Sequence, residues 1–105
     1  MTRIISLSLV LFATVSHAEY IVKDAIITSI ANTNSNGENF TVWVEGGSGP
    51  CTDRAVTFPR RAVSSNEIHA RAYSAALSAL STNHKVDIYD YSGSNCGNAS
   101  YIRLH

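Results

Sequence analysis

The sequence predicts a mainly β domain carrying one α-helix, and three observations lead there. Short runs with apolar residues at every second position recur along the chain, separated by clusters of Asn, Gly, Ser and Pro. One segment, Ser64 to Ser81, carries its apolar residues at helical spacing instead. Two cysteines, Cys51 and Cys96, stand in turn-rich stretches where a covalent staple is expected.

The first eighteen residues read as a leader. Arg3 precedes the apolar run Ile4 to Ala13, and Ser16-His17-Ala18 places small residues before Glu19, the pattern a signal peptidase requires. The run is too short and too interrupted by Ser6 and Ser8 to cross a bilayer, which needs about twenty apolar residues. Residues 1–18 are therefore expected to be removed, leaving a single domain over residues 19–105 in the periplasm or outside the cell, with no membrane insertion after cleavage.

Tyr20 to Ala31 is β-branched and apolar and reads as a strand with most of its surface covered. Asn32 to Asn39 holds little but turn formers, with Asn36-Gly37 suited to the positive φ of a hairpin. Phe40 to Glu45 returns as a second strand, with Phe40, Val42 and Val44 inward and Thr41, Trp43 and Glu45 on the other side. Gly46 to Cys51 reads as a flexible loop. No Lys-Ser or Lys-Thr pair follows it, so it does not form a phosphate cradle. Ala55 to Phe58 is a short third strand stopped by Pro59.

Ser64 and Glu67 form a capping box, in which the serine accepts from a backbone N–H and the glutamate reaches back. Ile68, Ala72, Ala75, Ala76, Ala79 and Leu80 then recur at helical spacing, widened by Tyr73 and Leu77. Lys85 to Tyr91 is a fourth strand with Val86 and Ile88 inward, Ser92 to Asn98 a loop, and Ser100 to Leu104 a fifth strand with Ile102 and Leu104 inward. The order β-β-β-α-β-β is that of an OB-like five-stranded Greek-key barrel, with the helix closing one end.

A domain of this size buries a modest core and gains from a staple. A Cys51–Cys96 bridge closes a loop of about 45 residues, worth about 4 kcal/mol in the chain-entropy model. With 8 Lys and Arg against 8 Asp and Glu, and Arg60-Arg61 as the local basic cluster, the charge pattern argues against nucleic acid as a partner. His69, His84 and His105 are too dispersed for a zinc motif, and no cofactor signature is present, so neither metal nor cofactor is expected.

The residues suited to recognition are aromatic. Trp43, the sole tryptophan, falls on the face opposite Phe40, Val42 and Val44 and could stack on a ligand. Tyr89, Tyr91 and Tyr101 share the outward parity of adjacent strands, with Asp87 and Arg103 among them. Cross-strand aromatic pairing alone also accounts for such a pattern. His69 is the candidate base were the protein a small hydrolase.

The stretches Gly49-Pro50-Cys51, Phe58-Pro59, His69 with Arg71-Ala72-Tyr73, and Lys85 to Tyr89 resemble a family of small uncharacterised secreted proteins of gammaproteobacteria. The passage from Tyr73-Ser74-Ala75-Ala76-Leu77-Ser78-Ala79-Leu80 into Lys85-Val86-Asp87-Ile88-Tyr89 is similar to the OB-fold B subunits of AB5 toxins of the subtilase-cytotoxin and typhoid-toxin type. That second resemblance implies glycan binding by a ring of five subunits. The expectation is a non-catalytic exported protein that binds a glycan or protein ligand. The alternative is a monomeric periplasmic structural or inhibitory protein acting on another protein.

Overall fold

The computed structural model describes residues 19–32 and 38–105. The expected leader, residues 1–18, and the expected turn at Asn36-Gly37 lie outside the described residues. The elements run β1 (Glu19–Asn32), β2 (Asn39–Glu45), β3 (Ala55–Pro59), a turn of 3-10 helix (Arg60–Ala62), α1 (Asn66–Thr82), β4 (Lys85–Asp90) and β5 (Tyr101–Leu104). The protein is thus mainly β with one helix.

All five strands form one antiparallel sheet in the order β3-β2-β1-β4-β5. β1 is central because it is long: its first half pairs with β4 and its second half with β2. Register shifts between Tyr20 and Val22, between Val22 and Ala25, and between Ile27 and Ser29 bend it. Asp24, inside the second shift, takes φ 57°, left-handed backbone that a bulge tolerates. These bulges leave Lys23, Asp24, Thr28 and Ser29 exposed, so β1 is less covered than its apolar composition predicts.

The core consists of Ile21, Val22, Ala25 and Ile27 of β1, Phe40, Val42 and Val44 of β2, Val56 and Phe58 of β3, and Val86 and Ile88 of β4. Phe40 stacks on Phe58 with ring centroids 4.7 Å apart and receives the edge of Tyr73 from α1 at 5.2 Å. Ala72, Ala76 and Ala79 are the buried residues of α1, and their small side chains let the helix lie close to the strands. Ile102 and Leu104 of β5 pack partly buried against this core.

Three expectations need correction. The helix cap is Ser65, one residue later than the Ser64 box requires. Its Oγ accepts from the N–H of Ile68, which leaves Glu67 in the first turn, where its charge favours the helix dipole. Leu77 does not widen the apolar face but stands exposed, because the sheet covers only the alanine stripe.

The glycine loop, finally, is pinned. Ser48 and Lys23 exchange backbone hydrogen bonds of 2.8 and 2.9 Å, and the Cys51 N–H donates to the Ile21 carbonyl. A Cβ on Gly47 would fall 2.0 Å from the Lys23 carbonyl oxygen, so a glycine is what lets the two backbones approach. Cys51, fully buried behind this loop, is bonded to Cys96 between β4 and β5.

Candidate functional site

Strand parity sends Val86, Ile88 and Asp90 of β4 inward and leaves Lys85, Asp87 and Tyr89 on the outer face. On that face β1 presents Tyr20 opposite Tyr89, and β5 presents Tyr101 opposite Tyr89. Tyr91, 61% exposed, follows at the end of β4. The four rings meet edge to face: Tyr20 and Tyr89 at 4.8 Å and 71°, Tyr89 and Tyr91 at 5.2 Å and 74°, Tyr89 and Tyr101 at 5.9 Å and 73°, Tyr91 and Tyr101 at 6.4 Å and 73°. Together they line a recess of about 260 Å³. The Lys23 ammonium lies 5.0 Å above the Tyr20 ring.

Of the residues singled out by sequence, Tyr89, Tyr91 and Tyr101 are therefore brought together. Arg103 shares their face two residues along β5 from Tyr101, opposite Asp87. Trp43 is not with them. It is 40% exposed on β2, between Ser29 and Ala55, and lines a separate recess with Thr28, Glu45, Asp53 and Arg54. His69 is engaged inside the fold, its Nε2 2.8 Å from the Phe58 carbonyl oxygen and its ring against Phe40. A carbonyl oxygen only accepts, so that nitrogen carries the proton and offers no lone pair to a substrate.

The loop behind Tyr91 is held by one carboxylate. Asp90, fully buried, accepts from the N–H and Oγ of Ser92 at 2.9 Å each, from the Asn95 N–H at 3.0 Å and from Asn98 Nδ2 at 3.0 Å. Burial pushes its carboxyl up, but these donors outweigh burial and hold it below the ordinary value. The Ser100 N–H donates to the Tyr89 carbonyl, and the Tyr91 N–H to Ser100 Oγ, so the same loop fixes the backbone under two of the tyrosines.

Beside the tyrosines the same face carries a second cluster. Asp87 Oδ1 accepts from the Asp24 N–H at 2.9 Å, and His105 Nε2 lies 3.0 Å from Asp87 Oδ1 and 3.1 Å from Asp24 Oδ1. Burial raises the Asp87 carboxyl, while the Asp24 N–H, the His105 hydrogen bond and the charges of His105 and Arg103 lower it further, for a net depression. These three residues, whose ligating atoms all lie within 4.8 Å of one another, are the group among the described residues that could hold a metal ion. In the structure the imidazole itself bridges the two carboxylates.

Sequence reasoning missed Tyr20, Lys23 and this cluster. A charged pair, Lys23-Asp24, interrupting an otherwise apolar strand was the available signal, since buried strand positions do not take adjacent charges unless a bulge turns them outward.

Fold and face together define a small, disulfide-stapled, mainly β protein with a tyrosine-lined outer sheet surface. The chain belongs to a family of unknown function, DUF5992, which matches residues 2–105. No curated protein and no solved structure matches it. No helix among the described residues is long and apolar enough to cross a membrane.

Proposed function

We propose that this is an exported, non-catalytic binding protein that recognises a glycan or protein ligand through the outer face of β1, β4 and β5. The observation that carries the reading is the convergence of Tyr20, Tyr89, Tyr91 and Tyr101 on one recess. Tyrosine offers large, rigid contact area with a polar tip at low entropic cost, a chemistry suited to recognition. The Cys51–Cys96 bridge supports export, because such bridges persist in oxidising compartments.

The framework we propose is an OB-like barrel. Its support is the β3-β2-β1-β4-β5 order with α1 between β3 and β4. Thr57 of β3 adds to this by donating to the Cys96 carbonyl and accepting from the Ala99 N–H, which draws the β3 edge toward the segment before β5. In that framework one side of the sheet carries the core and the tyrosines stand on the other.

The test is binding of the purified protein to a glycan array and to intact cell surfaces, repeated with Tyr91→Ala, Tyr101→Ala and Trp43→Phe. Loss of a captured ligand in both tyrosine variants, with melting curves intact and Trp43→Phe unaffected, is the expected result. A ligand retained by both tyrosine variants overturns the reading.

A further inference from the structure

The tyrosine recess is shaped for a rounded cation rather than for a flat ring. A planar apolar face stacks best on an aromatic ring lying open and parallel to it. Here neighbouring rings are inclined by 71° to 74°, so the recess offers walls instead of a platform. Two rings inclined by about 73° that share one cation at roughly 4.5 Å from each centroid have centroids roughly 5.4–7 Å apart. Tyr89 and Tyr101 at 5.9 Å, and Tyr91 and Tyr101 at 6.4 Å, fall within that window. Tyr89 and Tyr91, at 5.2 Å, lie just below it. At about 260 Å³ the space is smaller than a drug-sized pocket, of the order of 300–1,000 Å³, and matches a small headgroup.

The rim carries the complementary information. Lys23 already holds its ammonium 5.0 Å over Tyr20, and Arg103 stands two register positions from the Tyr89–Tyr101 pair, on the same face. The neighbouring carboxylates, Asp24 and Asp87, are both engaged by His105, so a lone cationic ligand would meet the Lys23 and Arg103 charges as repulsion. A ligand that carries an anion next to its cation turns both into attraction.

Resting on the reading of this face as a binding surface, we propose that the group it recognises is phosphocholine. The quaternary ammonium sits among Tyr89, Tyr91 and Tyr101 by cation–π attraction, and the phosphate reaches Lys23 or Arg103. The two-carbon link separates these charges by little more than the ~4.8 Å spacing of adjacent strands, a scale suited to long basic side chains that flank the rings from β5 at Arg103 and from β1, next to β4, at Lys23. No bond is made or broken in this recognition.

The experiment is calorimetric titration of the purified protein with phosphocholine and with 3,3-dimethylbutyl phosphate, in which a neutral tert-butyl group replaces the trimethylammonium. Tyr91→Leu, Tyr101→Leu and Lys23→Gln are titrated alongside, each checked by its melting curve. Expected are affinity for phosphocholine about tenfold above the neutral isostere, about tenfold loss in each leucine variant, and a smaller, salt-sensitive loss in Lys23→Gln.

Equal affinity for the isostere overturns the cation proposal while leaving the tyrosine face a binding surface. Undiminished phosphocholine affinity in both leucine variants places the site elsewhere and overturns it too, as does absence of binding by wild type. Phosphatidylcholine vesicles separate the sources. Vesicle binding competed by free phosphocholine identifies a lipid headgroup, and binding of soluble phosphocholine without vesicle binding identifies the group as carried by a soluble or glycan-borne molecule.

Discussion

Replacing Asp90 by asparagine tests whether one buried carboxylate organises the loop that carries Tyr91 and Cys96. The carboxylate accepts four hydrogen bonds from Ser92, Asn95 and Asn98. Bonds to a charged group contribute about 1.5–3 kcal/mol each. Their total is offset by the several kcal/mol already spent on desolvating the carboxylate, which its removal returns. Ser92 and Asn95 are exposed and recover water as well.

Asparagine keeps one acceptor oxygen but turns an NH₂ toward a backbone N–H, so the net loss is about 2–4 kcal/mol. For a domain of this size that lowers the melting temperature by about 10–25 °C. The pH dependence supplies an independent signature. Asp90 is depressed in the folded state, so its contribution is complete above the unfolded value near 3.8 and is lost as pH falls through the lower folded value. Thermal melts from pH 7 to pH 2 should therefore show wild type losing stability steeply in acid and Asp90→Asn less steeply. A residual slope is expected because Asp87 is depressed in the same direction. A loss below about 1 kcal/mol together with an unchanged acid slope would refute the account.

Removing the staple as Cys51→Ser with Cys96→Ser should cost about 4 kcal/mol, read as a lower urea midpoint with reduced wild type as the reference. Coincident midpoints for oxidised and reduced protein would refute it. Gly47→Ala should cost about 2–3 kcal/mol, because a methyl there meets the Lys23 carbonyl, whereas Gly46→Ala, with nothing within 4 Å, should cost about 1 kcal/mol from its positive φ alone. Equal melting points for the two variants would remove the close approach as a cause. The intact mass of protein recovered from an exporting cell should begin at Glu19 and fall short by two hydrogens; a mass retaining Met1 or carrying free thiols contradicts export with cleavage.

Much of the fold was legible because the elements obey local rules. Phe40, Val42 and Val44 alternate against Thr41, Trp43 and Glu45 with a period of two, and the structure buries the first set and leaves the second more open. The alanine stripe of α1 likewise follows from spacing. What local rules did not reach was set by partners distant in sequence. Lys23 and Ser48 exchange hydrogen bonds across more than twenty residues, and nothing in a glycine-rich hexapeptide distinguishes a free loop from one docked on a strand until the strand is in place. The cap moved from Ser64 to Ser65 for a similar reason: two adjacent serines both fit the pattern, and the path of the chain leaving β3 through Arg60–Ala62 selects between them.

The candidate face shows the same division. Parity within β4 and β5 is enough to put Tyr89 and Tyr101 on one side, but it cannot say which strand neighbours them. Only the central position of β1 brings Tyr20 against Tyr89, and the register shifts on either side of Val22, the second a bulge at Asp24, turn Lys23 outward, where its ammonium reaches the Tyr20 ring. That bulge also aims Asp24 at His105 and its N–H at Asp87, so one irregular turn of backbone shapes both the rim of the tyrosine recess and the polar cluster beside it. Residue identity along single strands thus accounts for the aromatic content of the face. Parity likewise places Arg103 there, whereas the Lys23 charge, and with it the second anion-attracting edge of the proposed site, arises from the departure of β1 from regular pairing.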